Sequence, residues 1–197
     1  MGTKEEIEAY FDRWAARWDA GMKKDDRIIG FILDAAGVKA GASVLDVACG
    51  TGVLFPYYLE RGVCRVTGVD LSGEMVRIAA GKFQDSRIRV VRGDMEALKP
   101  DGKYDVCVIY NAFPHFSDPR QLARNLSAWI RPGGRLTVAH GMSLEALHRH
   151  HAGSAAAVSA KMPDPEGLKR LLEPWFDVDT AMADGEKYVV SGALRDA

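Results

Sequence analysis

No stretch of this chain is apolar for long enough to cross a bilayer, neither sign of charge dominates, and cysteine is scarce. Each shortage removes a class of function. A transmembrane helix needs about 20 consecutive apolar residues, and none are present. The charged opening Met1–Glu8 does not read as an apolar leader, so the expectation is a soluble, cytoplasmic chain with no membrane partner. Lys and Arg number 26 against 27 Asp and Glu, a net charge of -1, which provides no field for a polyanion and argues against nucleic acid as a partner. Cys49, Cys64 and Cys107 are odd in number and lack metal or redox spacing, so they read as reduced thiols packed as small hydrophobes. Internal repeats and low-complexity tracts are also missing. The 197 residues suit one domain, 1–197, as a monomer or homodimer.

What is present is organised around Ser43–Phe55, SVLDVACGTGVLF. Val44, Leu45 and Val47 suit a buried strand, the small residues that follow suit a tight turn, and Val53–Arg61 reads as a helix. Open backbone N–H groups at such a helix start cradle a polar ligand, and doubly wound folds place cofactors at this turn. The dinucleotide fingerprint Gly-x-Gly-x-x-Gly/Ala fails here because Phe55 stands at the third small position. Asp46, inside the strand, would repel a pyrophosphate and attract a cation.

Asp46-Val47-Ala48-Cys49-Gly50-Thr51-Gly52 resembles the first motif of the class I S-adenosylmethionine-dependent methyltransferases, acid-x-Gly-x-Gly-x-Gly, with Ala48 as a small stand-in for the first glycine. The resemblance is to the small-molecule, type 11/25-like branch. It implies an α/β, Rossmann-like doubly wound sheet of about seven strands, mostly parallel with an antiparallel strand in a C-terminal hairpin. It also implies S-adenosylmethionine as cofactor, S-adenosylhomocysteine as product and a small-molecule acceptor. An aromatic segment, Tyr10 to Asp19, resembles the family's N-terminal cover, with Tyr10 over the sulfonium end and Trp14 and Trp18 shaping an acceptor pocket. By pattern alone, Ile7, Phe11, Trp14 and Trp18 dock a helix over Thr3–Asp19 on the core. Helices within 3–36 are expected to cover the cofactor site.

Further strands are expected at Arg65–Val69, Ile88–Val91, Val106–Tyr110 and Arg135–Ala139, with a closing hairpin of Phe176–Met182 and Lys187–Ser191. Asp70 lies 20 positions past Gly50, near the spacing at which an acid reaches ribose hydroxyls. Leu71 is placed against the adenine and Ser72 caps the next helix. Gly93-Asp94 is by itself a turn signal. The resemblance makes Asp94 the acceptor for the adenine amino group, with the Met95 N–H beside it. Asp105 falls at the opposite strand end and reads as structural.

Asn111, Phe113 and His115 follow the fourth strand on the ligand edge of an open sheet. All five histidines lie at 115 or within 139–152, where segment 141–163 reads as a lid. His115 and His140 are candidate bases for the acceptor, since imidazole titrates near neutrality. A metal held by His140, His148, His150 and His151 is the lesser reading, the spacing matching no zinc motif. Two other functions compete with methyl transfer: an NAD(P)-dependent reductase, and a non-catalytic protein that binds S-adenosylmethionine for a partner.

Overall fold

The computed structural model describes residues 2–22, 24–151 and 155–196, with His151 described by its backbone alone. Seven strands form one sheet: β1 (Ser43–Val47), β2 (Arg65–Asp70), β3 (Ile88–Arg92), β4 (Tyr104–Tyr110), β5 (Ile130–His140), β6 (Phe176–Ala183) and β7 (Tyr188–Leu194). The order is β3-β2-β1-β4-β5-β7-β6, and only β7 runs against its neighbours. The expected fold class is the observed one. The crossovers place the ends of β1 and β4 side by side where the order reverses, the crevice in which open α/β sheets take ligands.

Strand alternation divides the buried side chains into two layers. Val44, Val66, Val106 and Val108 face α3 (Asp26–Ala35) and α4 (Phe55–Glu60). Leu45, Val47, Cys107, Ile109, Leu136 and Val138 face α6 (Pro119–Trp129) and α8 (Pro165–Leu172). Polar groups close the loops. Ser72 caps α5 (Gly73–Lys82) by accepting from the Met75 N–H, and Asp118 caps α6 by accepting from Arg120 and Gln121. Asp105 is structural: its carboxylate accepts from the Ser43 N–H and hydroxyl and pairs with Arg131.

The N-terminal segment departs from the continuous helix expected over 3–19. α1 (Lys4–Ala15) stops, Arg17 takes φ -112° and ψ 0°, and a short α2 (Trp18–Gly21) restarts. Tertiary contacts outweigh helix propensity there: the break sets Trp18 over Gly50 and lets Asp19 accept from the Thr51 hydroxyl at 2.5 Å. The first helix after the turn also starts later than expected, at Phe55 rather than Val53. β5 is longer, its irregular start absorbing Arg131-Pro132-Gly133-Gly134. No helix of the described residues is long and apolar enough to cross a membrane.

Candidate cofactor and acceptor cavity

The turn after β1 winds through three left-handed residues, with φ of 55° at Ala48, 55° at Gly50 and 83° at Gly52. Alanine's small size does not meet what this position demands, because a Cβ at such a φ costs about 1–2 kcal/mol that glycine avoids. Three amides of the turn itself are engaged within the protein: Cys49 donates to the Val69 carbonyl, Gly50 to Asp70 Oδ2 at 2.8 Å, and Gly52 to the Cys49 carbonyl.

A cavity of about 710 Å³ opens over this turn. Its strand-end wall carries Ala48, Gly50, Asp70, Leu71, Asp94 and Met95. Asp70 Oδ1 accepts from the Ser72 N–H at 2.9 Å and Oδ2 from Gly50, so the carboxylate ties the β1 turn to the start of α5 and keeps lone pairs for a ligand. Burial is the main reason its pKa is pushed up to about 6, against the lowering effect of those two N–H bonds.

Asp46 is a correction. Alternation puts it with Val44 on the α4 face, away from the cavity, where burial and then the charge of Asp70 push its carboxyl well above the usual range. The carboxylates that line the cavity are Asp70, Asp94 and Glu96. Gly52 also lies outside the lining, packed on Phe55 and Phe83, and Phe113 turns into the core while Phe116 lines the cavity in its place.

The α1–α2 segment crosses the strand ends and is pinned at each. Lys4 bridges Asp94 and Glu96 beyond β3, the second contact being 2.8 Å. Asp12 accepts from the Ser72 hydroxyl at 2.5 Å and the Glu74 N–H at 3.1 Å beyond β2. Asp19 holds Thr51 beyond β1 and Lys82 on α5. From this strap Tyr10, Trp14 and Trp18 line the cavity, Trp14 remaining 42% exposed. Glu96, Lys4 and Arg17 also line it and were not singled out from the sequence. Glu96 is 8% exposed and accepts from the Ser117 hydroxyl and Asp118 N–H at 2.7 and 2.6 Å. A lone acid and two basic residues in polar surroundings carry no pattern by which to find them.

The remaining wall comes from the ends of β4 and β5 and from α7 (Leu144–His151). Asn111, at φ 55°, accepts from the Gly141 N–H through Oδ1 and so joins the two strand ends. His115 Nδ1 lies 3.0 Å from the Val158 carbonyl and 3.2 Å from the Ser159 hydroxyl, with the Phe11 ring edge-on at 4.9 Å. A carbonyl only accepts, so Nδ1 bears the hydrogen and Nε2 the lone pair. Burial lowers the pKa of His115, the Val158 carbonyl opposing it and the charge of His150 adding to it. His140 is fully buried with its ring against Tyr188, and His150 reaches the same cavity. His148 is not in the lining; its Nε2 donates to the Met162 carbonyl at 2.9 Å and ties α7 to the chain beyond it. The His151 side chain lies outside the described residues. Among the described residues no group of three or more His, Cys, Asp or Glu is placed to hold a metal.

Residues 44–134 match the family model described as a methyltransferase domain. The ubiquinone biosynthesis O-methyltransferase of Escherichia coli is 35% identical over 141 residues, covering 66% of this chain and 58% of the relative. The chain therefore spans less than two thirds of the length of that relative. Among solved structures, the methyltransferase in the Haloferax volcanii complex with the Trm112 activator superposes with a TM-score of 0.79 at 21% identity, over 94% of this chain and 98% of that one. The N-methyltransferase NodS of Bradyrhizobium japonicum, solved with S-adenosyl-L-homocysteine, gives 0.75 at 14% identity, over 96% and 99%. Residues 44–134 thus match a methyltransferase domain, and these superpositions show that its fold extends over nearly the whole chain.

Proposed function

We propose that the protein moves a methyl group from S-adenosylmethionine to a small-molecule acceptor held in the same cavity. The observation that carries this reading is the continuity of one cavity from the glycine turn and the strand-end acids to the histidines. Bound S-adenosylmethionine supplies an already activated methyl group, so the chain has mainly to align the partners and keep water out. Asp70 accepts the ribose hydroxyls. Asp94 and the Met95 N–H meet the adenine, Leu71 packs on it, and Ala48 and Gly50 leave room beside the turn. Tyr10 and Asn111 border the sulfonium, while Trp14, Trp18 and Phe116 shape the acceptor end. Asp46, Gly52 and Phe113 support this wall from behind. His115 receives the acceptor's proton, and His140 is the second candidate. The whole of 1–197 acts as one unit, with 3–36 as cover and 141–163 as lid. The near-zero net charge and the concave, largely apolar cavity favour a small molecule over nucleic acid.

Arg17 takes the carboxylate at the methionine end of the cofactor. It precedes Trp18, which sits over Gly50, and lines the cavity without an ion pair among the described residues, whereas Lys4 there is bound to two carboxylates. Arg17→Ala is expected to weaken S-adenosylhomocysteine about tenfold, the scale of one exposed charge-assisted hydrogen bond. Binding of methylthioadenosine, which has no carboxylate, should stay unchanged by calorimetry.

The reading as a whole is tested by calorimetry with S-adenosylhomocysteine, NADH and NADPH, followed by mass spectrometry of cell extract incubated with labelled S-adenosylmethionine. Binding of the first ligand alone and a labelled small product are expected. A nicotinamide preference restores the reductase, and binding without a labelled product leaves the non-catalytic partner protein.

A further inference from the structure

The N-terminal strap and the chain that follows α7 meet over the cavity, and their joint bears on how a ligand enters and leaves. Ile7 of α1 is buried against Ala155 and Val158, which stand at the two ends of a single 3₁₀ turn, and Tyr10, Phe11 and Leu71 pack around the three. This small cluster is separate from the layers that cover the two faces of the sheet. The Gly2 N–H also donates to the Ala157 carbonyl at 2.7 Å, so backbone as well as side chains join the two segments.

The ties of the strap to the strand ends are of another kind. They are the pairs of Lys4 with Asp94 and Glu96, Glu8 with Arg92 and Asp19 with Lys82, and the bond of Asp12 to Ser72, most with a partly exposed partner. Exposed ion pairs contribute little each and weaken with salt, whereas burial of the Ile7 side chain does not depend on salt in that way. The joint with 155–160 is therefore the larger part of what holds the strap down. The second segment has its own anchor, since the Ala160 N–H donates to the Pro114 carbonyl at 2.7 Å.

Separating Ile7 from Ala155 and Val158 exposes the same apolar surface whichever segment moves, so that cost is incurred once for both. Ile7, Tyr10, Phe11 and Ala155 line the cavity, and Leu71 belongs to the joint and to the cavity wall together. We propose that residues 2–21 and 155–160 form one cap that opens as a unit at the Ile7–Val158 joint, and that this opening sets the rate of cofactor exchange. The proposal rests on the cofactor reading given above. Ile7 and Val158 then act on the reaction through access alone, as lids do when product release limits turnover.

Two kinetic arms test it. In the first, Gly2→Cys and Ala157→Cys are combined with Cys64→Ser, because Cys64 is exposed while Cys49 and Cys107 are buried. The Gly2–Ala157 hydrogen bond holds the two Cα atoms at most about 6.6 Å apart, within the span of a disulfide. Release of tritiated S-adenosylhomocysteine from the oxidised protein should be at least about tenfold slower than from the reduced protein, a factor equal to about 1.4 kcal/mol of barrier. Release at the same rate in both forms overturns the proposal. In the second arm, Ile7→Ala and Val158→Ala should each speed release about tenfold. The double variant should stay within about twofold of the faster single variant, since the second truncation removes contacts that the first has already lost. Single effects that multiply mark two independent covers and overturn the proposal, as does an unchanged release rate in both single variants. Failure of the parent protein to bind S-adenosylhomocysteine removes the methyltransferase reading instead, and that outcome is seen before any variant is made.

Discussion

Replacing Asp70 with alanine is expected to raise the dissociation constant for S-adenosylhomocysteine by at least about 100-fold. Two hydroxyl-to-carboxylate hydrogen bonds are lost, each worth about 1.5–3 kcal/mol, and the lower end of that sum already exceeds two decades. The same change strips the part-buried Gly50 N–H and the buried Ser72 N–H of their acceptor, at up to about 1–3 kcal/mol each, so thermal unfolding must be recorded beside calorimetry. Asp70→Asn separates the two effects, keeping one acceptor for the backbone while losing the charge.

A pH signature follows. The folded pKa, pushed from 3.8 to about 6, lies above the unfolded value, so the native state holds the extra proton between these limits. Ionising Asp70 therefore costs the free protein on the order of 3 kcal/mol as pH rises through this window, a cost fully incurred above about pH 6. In the proposed cofactor site, ribose hydroxyls would donate to the ionised form and offset this cost. Affinity for S-adenosylhomocysteine should thus be flat above about pH 6 and fall about tenfold between pH 6 and 5, a dependence that disappears in Asp70→Asn. A parent and an Asn variant with the same slope would show that another group titrates.

The fold was legible because its signals are local. The strand and turn from Ser43, the Ser72 and Asp118 caps and the closing hairpin each depend on residues a few positions apart, and each stands within a few residues of where they imply, the helix after the turn starting two residues late. Order along the chain also brought Asp70, Asp94 and Asn111 to one edge, since successive parallel strands end on the same side. What escaped depends on direction or on distant partners. Asp46 was placed at the right strand and on the wrong face, because a continuous apolar strand buried on both sides gives no alternation from which to read orientation. Phe113 failed for a related reason: the short 3₁₀ turn Phe113–His115 sends neighbouring side chains in different directions. The break at Ala16–Arg17 has no glycine or proline to announce it and exists for Thr51, more than thirty positions away.

Phe55 shows how far such a partner can matter. At the position where the dinucleotide fingerprint keeps a small residue so that helix and strand can touch, this chain has a fully buried ring. The space comes instead from two glycines. A Cβ on Gly68 of β2 would lie 2.6 Å from Phe55 Cζ and 2.8 Å from Cys49 Sγ, and one on Gly52 would lie 2.7 Å from both Phe55 and Phe83. Smallness has moved from the helix to the turn and the neighbouring strand, and the ring locks the turn against β2 just behind Gly50. Phe55→Ala should cost about 3–5 kcal/mol in urea unfolding, the range for emptying an aromatic site. Gly68→Ala should cost about 1–3 kcal/mol through overpacking and, because Cys49 must move, should weaken S-adenosylhomocysteine as well. Joining Gly68→Ala to Phe55→Leu creates a methyl and removes the ring atoms it strikes, so the double variant should be at least about 1 kcal/mol more stable than the sum of the single losses. Strict additivity would mean that the ring and the glycine act independently. The geometry of the cofactor turn would then have to be held by Asp70 and the N-terminal strap alone.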